Sequence, residues 1–104
     1  MEEQRYVPRH HVECSVTFVV EDVSGTGTVF NLSQDGCAIE SRVPVPPTGY
    51  ASLFISFPGD PDPVVIDLAR LRWVTRSEFG CEFRIMSQAA RKRVQRYLVM
   101  DRAA

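Results

Sequence analysis

The chain has 104 residues, 44% of them hydrophobic, and a formal net charge of −1 at pH 7. This length fits one domain with one hydrophobic core. A charge near zero gives no general attraction to nucleic acid or an anionic membrane, so neither DNA nor RNA is expected as a partner. No apolar run approaches the roughly 20 residues of a membrane helix. Because residues 1–5 also lack the apolar region of a signal peptide, we expect a cytoplasmic protein without a membrane segment.

The basic residues and the cysteines are unusual in kind or number. Eleven of the twelve basic residues are arginine, and Lys92 is the single lysine. Arginine stacks on flat rings and pairs with phosphate through two hydrogen bonds. The preference for arginine over lysine therefore agrees with a ligand site, but a GC-rich genome explains it equally well. Cys14, Cys37 and Cys81 are widely spaced and have apolar neighbours, which is typical of buried thiols.

The chain begins with a polar segment. Residues 1–11 contain Arg5, Pro8 and Arg9. Because proline disfavours helix at the residue before it, we predict an irregular or extended arm over 1–11. Alternating apolar and polar residues then predict a half-buried strand over 12–20.

Turn residues divide the middle of the chain into short segments. The apolar phase slips near Ala69, which predicts a bulge or bend there, and Trp73 is predicted to lie in the core. The predicted segments are a turn over 24–27, a strand to about Asn31, a turn over 34–36, a strand from Cys37, a proline-rich loop over 44–49, a strand over 50–57, a breaker over 58–63, a strand over 64–74, a hairpin loop over 75–78 and a strand over 79–85.

The last segment has helical spacing. Ser87 is a suitable N-cap for a helix over about 87–100, which places Ala90, Val94, Tyr97 and Leu98 on one face. Six short strands with closely spaced turns predict a mainly all-β fold, a small six-stranded antiparallel barrel with a C-terminal α-helix.

The segment Asn31-x-Ser33-x-x-Gly36 is the first candidate binding motif. Side chains two apart on a strand point the same way, so Leu32 is expected to point inward while Asn31 and Ser33 face outward together. Their amide and hydroxyl offer donors to a phosphate or a base edge. Gly36 can take a positive φ and let a ligand approach the backbone. The alternative is a plain turn, because these are ordinary turn residues.

The pair Arg5-x-x-x-Arg9 is the second candidate motif. Four extended residues span about 13 Å, so two guanidinium groups can hold one ligand from two sides. Arginine pairs with O6 and N7 of guanine and binds phosphate through two bonds. The alternative is a solvated N-terminal tail.

With both motifs present, the chain resembles the PilZ domain family of bacterial cyclic di-GMP receptors. The resemblance also covers the Arg-Trp pair at 72–73, the strand over 79–83 and the closing helix. It implies a barrel over 12–104 and a ligand-clamping arm over 1–11. The residues implied as cyclic di-GMP contacts are Arg5, Arg9, Asn31, Ser33 and Gly36, with Gln4, His10, Asp35 and Arg72 as secondary positions.

Two positions depart from what many members of the family carry. Asn31 stands where an aspartate is frequent, and it keeps an acceptor while losing the charge. Gln4 stands where some members have a further arginine that favours a stacked ligand dimer, so one ligand per domain is expected here.

The resemblance implies a receptor or adaptor whose arm orders over cyclic di-GMP and signals to a partner protein. The alternative is a PilZ-like interaction module that binds little or no nucleotide. A third possibility is a barrel that binds single-stranded nucleic acid, which would need exposed aromatics on a basic groove. Here the aromatics mostly fall on the apolar strand faces, with Tyr6, Tyr50 and Phe54 as the exceptions. No catalytic constellation is present, and His11-x-x-Cys14 is half a metal site, so neither enzymatic activity nor a metal or other cofactor is expected.

Overall fold

The computed structural model describes residues 9–103, with side chains described for 9–100. Its antiparallel strands close into a barrel in the order β1-β2-β3-β6-β5-β4, which confirms the predicted architecture. The elements are β1 His10–Val20, β2 Val23–Leu32, β3 Gly36–Ser41, β4 Tyr50–Ser56, β5 Val64–Val74, β6 Glu78–Ile85 and α1 Gln88–Ala103.

Strand β1 shows why the alternating pattern was informative. Its inward side chains, among them Phe18, are buried, while the residues between them are exposed. Phe18 meets Phe79 of β6 across the barrel, edge to face, with ring centroids 5.2 Å apart. The strand begins at His10 rather than at residue 12, because the ladder with β2 continues to the pair His10–Leu32. The arm therefore gives way to the barrel two residues earlier than predicted.

The turn between β1 and β2 is at residues 21–22, so the turn predicted over 24–27 is wrong. Glu21 takes a φ of 56°, a left-handed value that glycine or asparagine usually supplies in two-residue hairpins. Gly27 lies inside β2, where a Cβ would clash with the carbonyl oxygen of Glu40. Gly27 thus marks a close approach of β2 and β3 rather than a change of direction.

Strand β5 has two register shifts against β6. The first lies between Leu68 and Ala69. The pairing with β4 also shifts here, with an extra residue of β5 between Ile66 and Ala69, which confirms the predicted bulge or bend. The second lies between Leu71 and Trp73. An extra residue in one strand reverses the facing of the side chains that follow. As a result Trp73 is 41% exposed, and its predicted core position is wrong.

The closing helix packs against β5. The Ser87 hydroxyl accepts a hydrogen bond from the Ala90 amide at 3.0 Å, which confirms the N-cap. Val94 and Leu98 are buried in the predicted face, and the helix continues to Ala103, three residues beyond the predicted end. No helix within the described part of the chain is long and apolar enough to cross a membrane.

Candidate functional site

The antiparallel pairing of β1 and β2 brings the two candidate motifs together. The ladder ends with His10 opposite Leu32. Arg9 precedes His10 and Ser33 follows Leu32, so both come to the same end of the barrel. They line one cavity with a volume of about 330 Å³. Segments that are distant in the sequence therefore share a site.

The cavity lies across β3, β6 and β5, which are neighbours in the barrel. Of the residues singled out from the sequence, Asn31 and His10 do not line it, and Arg5 and Gln4 lie outside the described residues. The lining residues are Arg9, Ser33, Asp35, Gly36, Cys37, Ala38, Arg72, Trp73, Gly80, Cys81 and Glu82.

The indole of Trp73 lines the cavity next to two small residues, Ala38 and Gly80. Ala38 pairs with Gly80, and Gly80 pairs with Trp73, so the three form a row across neighbouring strands. A Cβ on Gly80 would clash with the indole of Trp73, so the ring lies directly against the glycine. A partly exposed indole of this kind can stack on a flat ligand.

The sequence contained little signal for Trp73 as a site residue. Leu71 and Trp73 are two apart, the spacing of one strand face. Only the pairing of Trp73 with Gly80, one step after the pairing of Leu71 with Cys81, reveals the extra residue in β5. Trp73 thus belongs to the cavity through a contact that is distant in the sequence.

The Ser33 side chain organises the turn between β2 and β3. It is only 6% exposed, so the expectation that it faces outward is wrong. Its hydroxyl oxygen accepts hydrogen bonds from the amides of Asp35 and Gly36, each at 3.2 Å. The Asp35 carbonyl in turn accepts a hydrogen bond from the Phe83 amide of β6 at 2.8 Å. The turn is therefore fixed from within and tied to the neighbouring strand.

Replacing Ser33 with alanine is expected to lower the free energy of unfolding by about 1–3 kcal/mol, because two amides lose their acceptor in a part-buried turn. Urea unfolding followed by circular dichroism measures the change. Ser56→Ala is the matched control, since Ser56 is exposed on β4. Equal stability of the two variants would contradict this role for the Ser33 hydroxyl.

Gly36 and Asn31 also differ from their expected geometry. The described glycines with positive φ are Gly49 and Gly59, so Gly36 does not serve through a left-handed conformation. A Cβ on Gly36 would instead clash with the carbonyl oxygen of Cys81 on β6. Asn31 is half-buried next to a register shift in β2, and it does not stand beside Ser33 on an outward face because the strand ends between them.

The charges that line the cavity cancel. Arg9 and Arg72 face the carboxylates of Asp35 and Glu82. Arg72 donates a hydrogen bond to Glu82 at 3.2 Å, and Arg84 lies 3.5 Å from the same oxygen. These side chains are about half exposed, so the ion pairs contribute little to stability. An anion in this cavity therefore needs either a further cation or release of Arg72 from Glu82.

Two of the lining residues, Cys37 and Cys81, have their thiols in the hydrophobic core. The sulfurs of Cys37 and Cys81 are 3.8 Å apart. The hydrogen bond with Cys81 and burial raise the pKa of the Cys37 thiol well above its usual range, so it stays protonated at neutral pH. All three cysteines are buried, as predicted, and none of them forms a disulfide bond. Within residues 9–103, no group of three or more potential ligand side chains could hold a metal ion.

A family model identifies the class of protein. The PilZ domain model matches residues 3–99, which is most of the chain, and the chain therefore belongs to the PilZ domain family. A comparison with curated proteins finds no match.

Solved structures agree on the fold. The chain is similar to the Bacillus subtilis inhibitor of motility MotI/DgrA, with a TM-score of 0.75, 15% identity and coverage of 99% of this chain and 53% of that one. It is also similar to the PilZ domain of CeSA from a cellulose-synthesizing bacterium, with a TM-score of 0.68, 17% identity and coverage of 93% and 99%. The chain thus spans about half the length of MotI/DgrA.

Proposed function

We propose that the chain is a cyclic di-GMP receptor whose N-terminal arm closes over the ligand and that passes the signal to a partner protein. The observation that supports this most is the convergence of Arg9, the 33–36 turn and Trp73 on one cavity. Cyclic di-GMP is the ligand associated with PilZ domains, and it combines two flat guanines with two phosphates. The Trp73 indole can stack on a guanine, and arginine donors can bind a phosphate.

The cavity accepts part of the ligand rather than all of it. Its volume of about 330 Å³ is at the lower end of the roughly 300–1,000 Å³ of small-molecule pockets. We assign one guanine to the space beside Trp73, with Arg9 donating to its O6 and N7 edge or to the adjacent phosphate. Gly36 has no side chain and so leaves room for the ligand in the cavity, and the Ser33 hydroxyl stabilises the 33–36 turn. Asn31 would contact the part of the ligand nearest the arm.

The charges explain why the arm is needed. Each phosphate of the ligand carries a negative charge, whereas the described lining is electrically balanced. Arg5, four residues before Arg9 in the arm, supplies the additional cation in this proposal. Binding then favours the closed arm over other arrangements of it, which creates a new surface for the partner. A cavity of this size also agrees with the single ligand per domain that is expected from Gln4.

Calorimetric titration with cyclic di-GMP tests the proposal directly. We expect binding tighter than about 10 μM, with one ligand per chain. Trp73 is the single tryptophan, so its fluorescence should change on binding and report the cavity itself. Cyclic di-AMP is the matched control, because it keeps the phosphates and lacks the guanine edge. Absence of binding at tens of micromolar would favour the alternative, an interaction module without nucleotide.

A further inference from the structure

A second cavity lies between α1 and the loop that follows β4. Its volume is also about 330 Å³, and it shares no lining residue with the candidate nucleotide cavity. Phe57 and Tyr97 both line it, and their rings stack with centroids 4.3 Å apart and planes 6° from parallel. Met100 also lines it and is 62% exposed. We call this the helix–loop groove.

An ion pair makes one side of the helix–loop groove rigid. The Arg93 guanidinium lies 2.6 Å from the Asp60 carboxylate. It also donates to the carbonyl oxygen of Pro63 at 3.2 Å and to that of Asp62. The hydrogen bond from Arg93 holds the pKa of the Asp60 carboxyl below its usual range. Arg93 is thus fully engaged in fixing the loop to the helix.

Arg96 differs from Arg93 although it lies less than one helical turn further on. It lines the same groove, is exposed, and forms no hydrogen bond or ion pair with any described residue. The charge of Arg96 also helps to lower the pKa of the Asp60 carboxyl. Because Asp60 is the one carboxylate in the described lining and faces two arginines, the groove carries a net positive charge. Arg91 and Lys92 add exposed cations on the same helix.

We propose that the helix–loop groove docks an acidic segment of a partner protein. An apolar side chain of that segment packs on Tyr97 and Met100, and an adjacent carboxylate pairs with Arg96. Charge complementarity selects an acidic partner, and exposed apolar surface beside the cation supplies the anchor. A concave groove with the Asp60 carboxylate at its edge fits a peptide side chain better than an anionic membrane. The inference rests on the adaptor role proposed above, though not on nucleotide binding.

Selection from a random peptide display library against the full chain tests this docking site. The enriched peptides should carry aspartate or glutamate beside a leucine or an aromatic residue. Their affinity should fall by about tenfold or more in Arg96→Glu and in Met100→Asp, since each change removes one of the two attractions. Arg76→Glu is the matched charge reversal, because Arg76 is exposed in the loop between β5 and β6.

Three results would overturn the docking site. The first is enrichment of peptides that lack acidic residues, and the second is binding of the enriched peptides to Arg96→Glu as tightly as to the unchanged chain. Alternatively, phosphatidylserine vesicles could bind in an Arg96-dependent way while no peptide is enriched, which would assign the helix to a membrane. Arg96→Glu is expected to bind cyclic di-GMP normally. If instead the unchanged chain binds the selected peptides but does not bind cyclic di-GMP, only the proposed function is contradicted.

Discussion

Replacing Arg9 with alanine is expected to weaken cyclic di-GMP binding by about 10–100-fold, because one two-bond arginine contact to guanine contributes about 1–3 kcal/mol. Arg9 lies at the mouth of the cavity, next to the end of the β1–β2 ladder. Its positive charge is one of only two in the described lining, and the other, on Arg72, is already paired with Glu82. Calorimetry at fixed ionic strength measures the loss.

The control for Arg9 is another exposed arginine that lies outside the cavity. Arg42 is exposed beyond the end of β3 and does not line the site, so Arg42→Ala should bind as the unchanged chain does. Arg5→Ala is expected to resemble Arg9→Ala, since both cations are assigned to the same clamp. If both arm variants bind normally while the chain still binds cyclic di-GMP, the ligand is held elsewhere and the arm is not the clamp.

The Arg9 and Arg5 variants also distinguish a role in ligand binding from a role in the stability of the barrel. Arg9 is exposed and precedes the first residue of β1, so its loss should leave the unfolding transition unchanged. A fall in affinity without a fall in stability would identify a direct ligand contact. A parallel fall in both would point to a structural role instead.

The strands were predictable where the pattern of apolar residues reflects one buried face. The alternation in β1 and the slip near Ala69 in β5 are local consequences of which side chains face the core. The hairpin at Glu21 was not predictable in this way, because its left-handed conformation is adopted by a residue that rarely takes it. The turn was instead predicted at Gly25 and Gly27, which lie inside β2.

The candidate site was predictable only as far as its residues are close in sequence. The 33–36 turn and Arg9 were found as parts of motifs, and both line the cavity. The outward position of Trp73 depends on a register shift against β6, which no local pattern encodes. The burial of Ser33 and the strand contact of Gly36 likewise depend on β6, through the Phe83 amide and the Cys81 carbonyl. Strand β6 therefore shapes a site whose recognisable motifs lie outside it.

Replacing Gly36 with alanine is expected to destabilise the barrel by about 1–3 kcal/mol, the usual cost of forcing extra volume into close-packed structure. The added Cβ would clash with the backbone carbonyl of Cys81, which cannot rotate away as a side chain can. Strands β3 and β6 must separate there, and the turn that begins at Ser33 must move with them. Cyclic di-GMP affinity is therefore expected to fall along with the unfolding free energy, measured by calorimetry and urea unfolding respectively.

Gly27→Ala separates damage to the site from general loss of stability. A Cβ at Gly27 would also clash with a backbone carbonyl, that of Glu40 on β3, but Gly27 does not line the cavity. Because a domain of this size is stable by about 5–15 kcal/mol, both variants should remain folded at 25 °C. We expect similar destabilisation in the two and weaker nucleotide binding in Gly36→Ala alone. Equal affinities would mean that the spacing of β3 and β6 does not shape the ligand site.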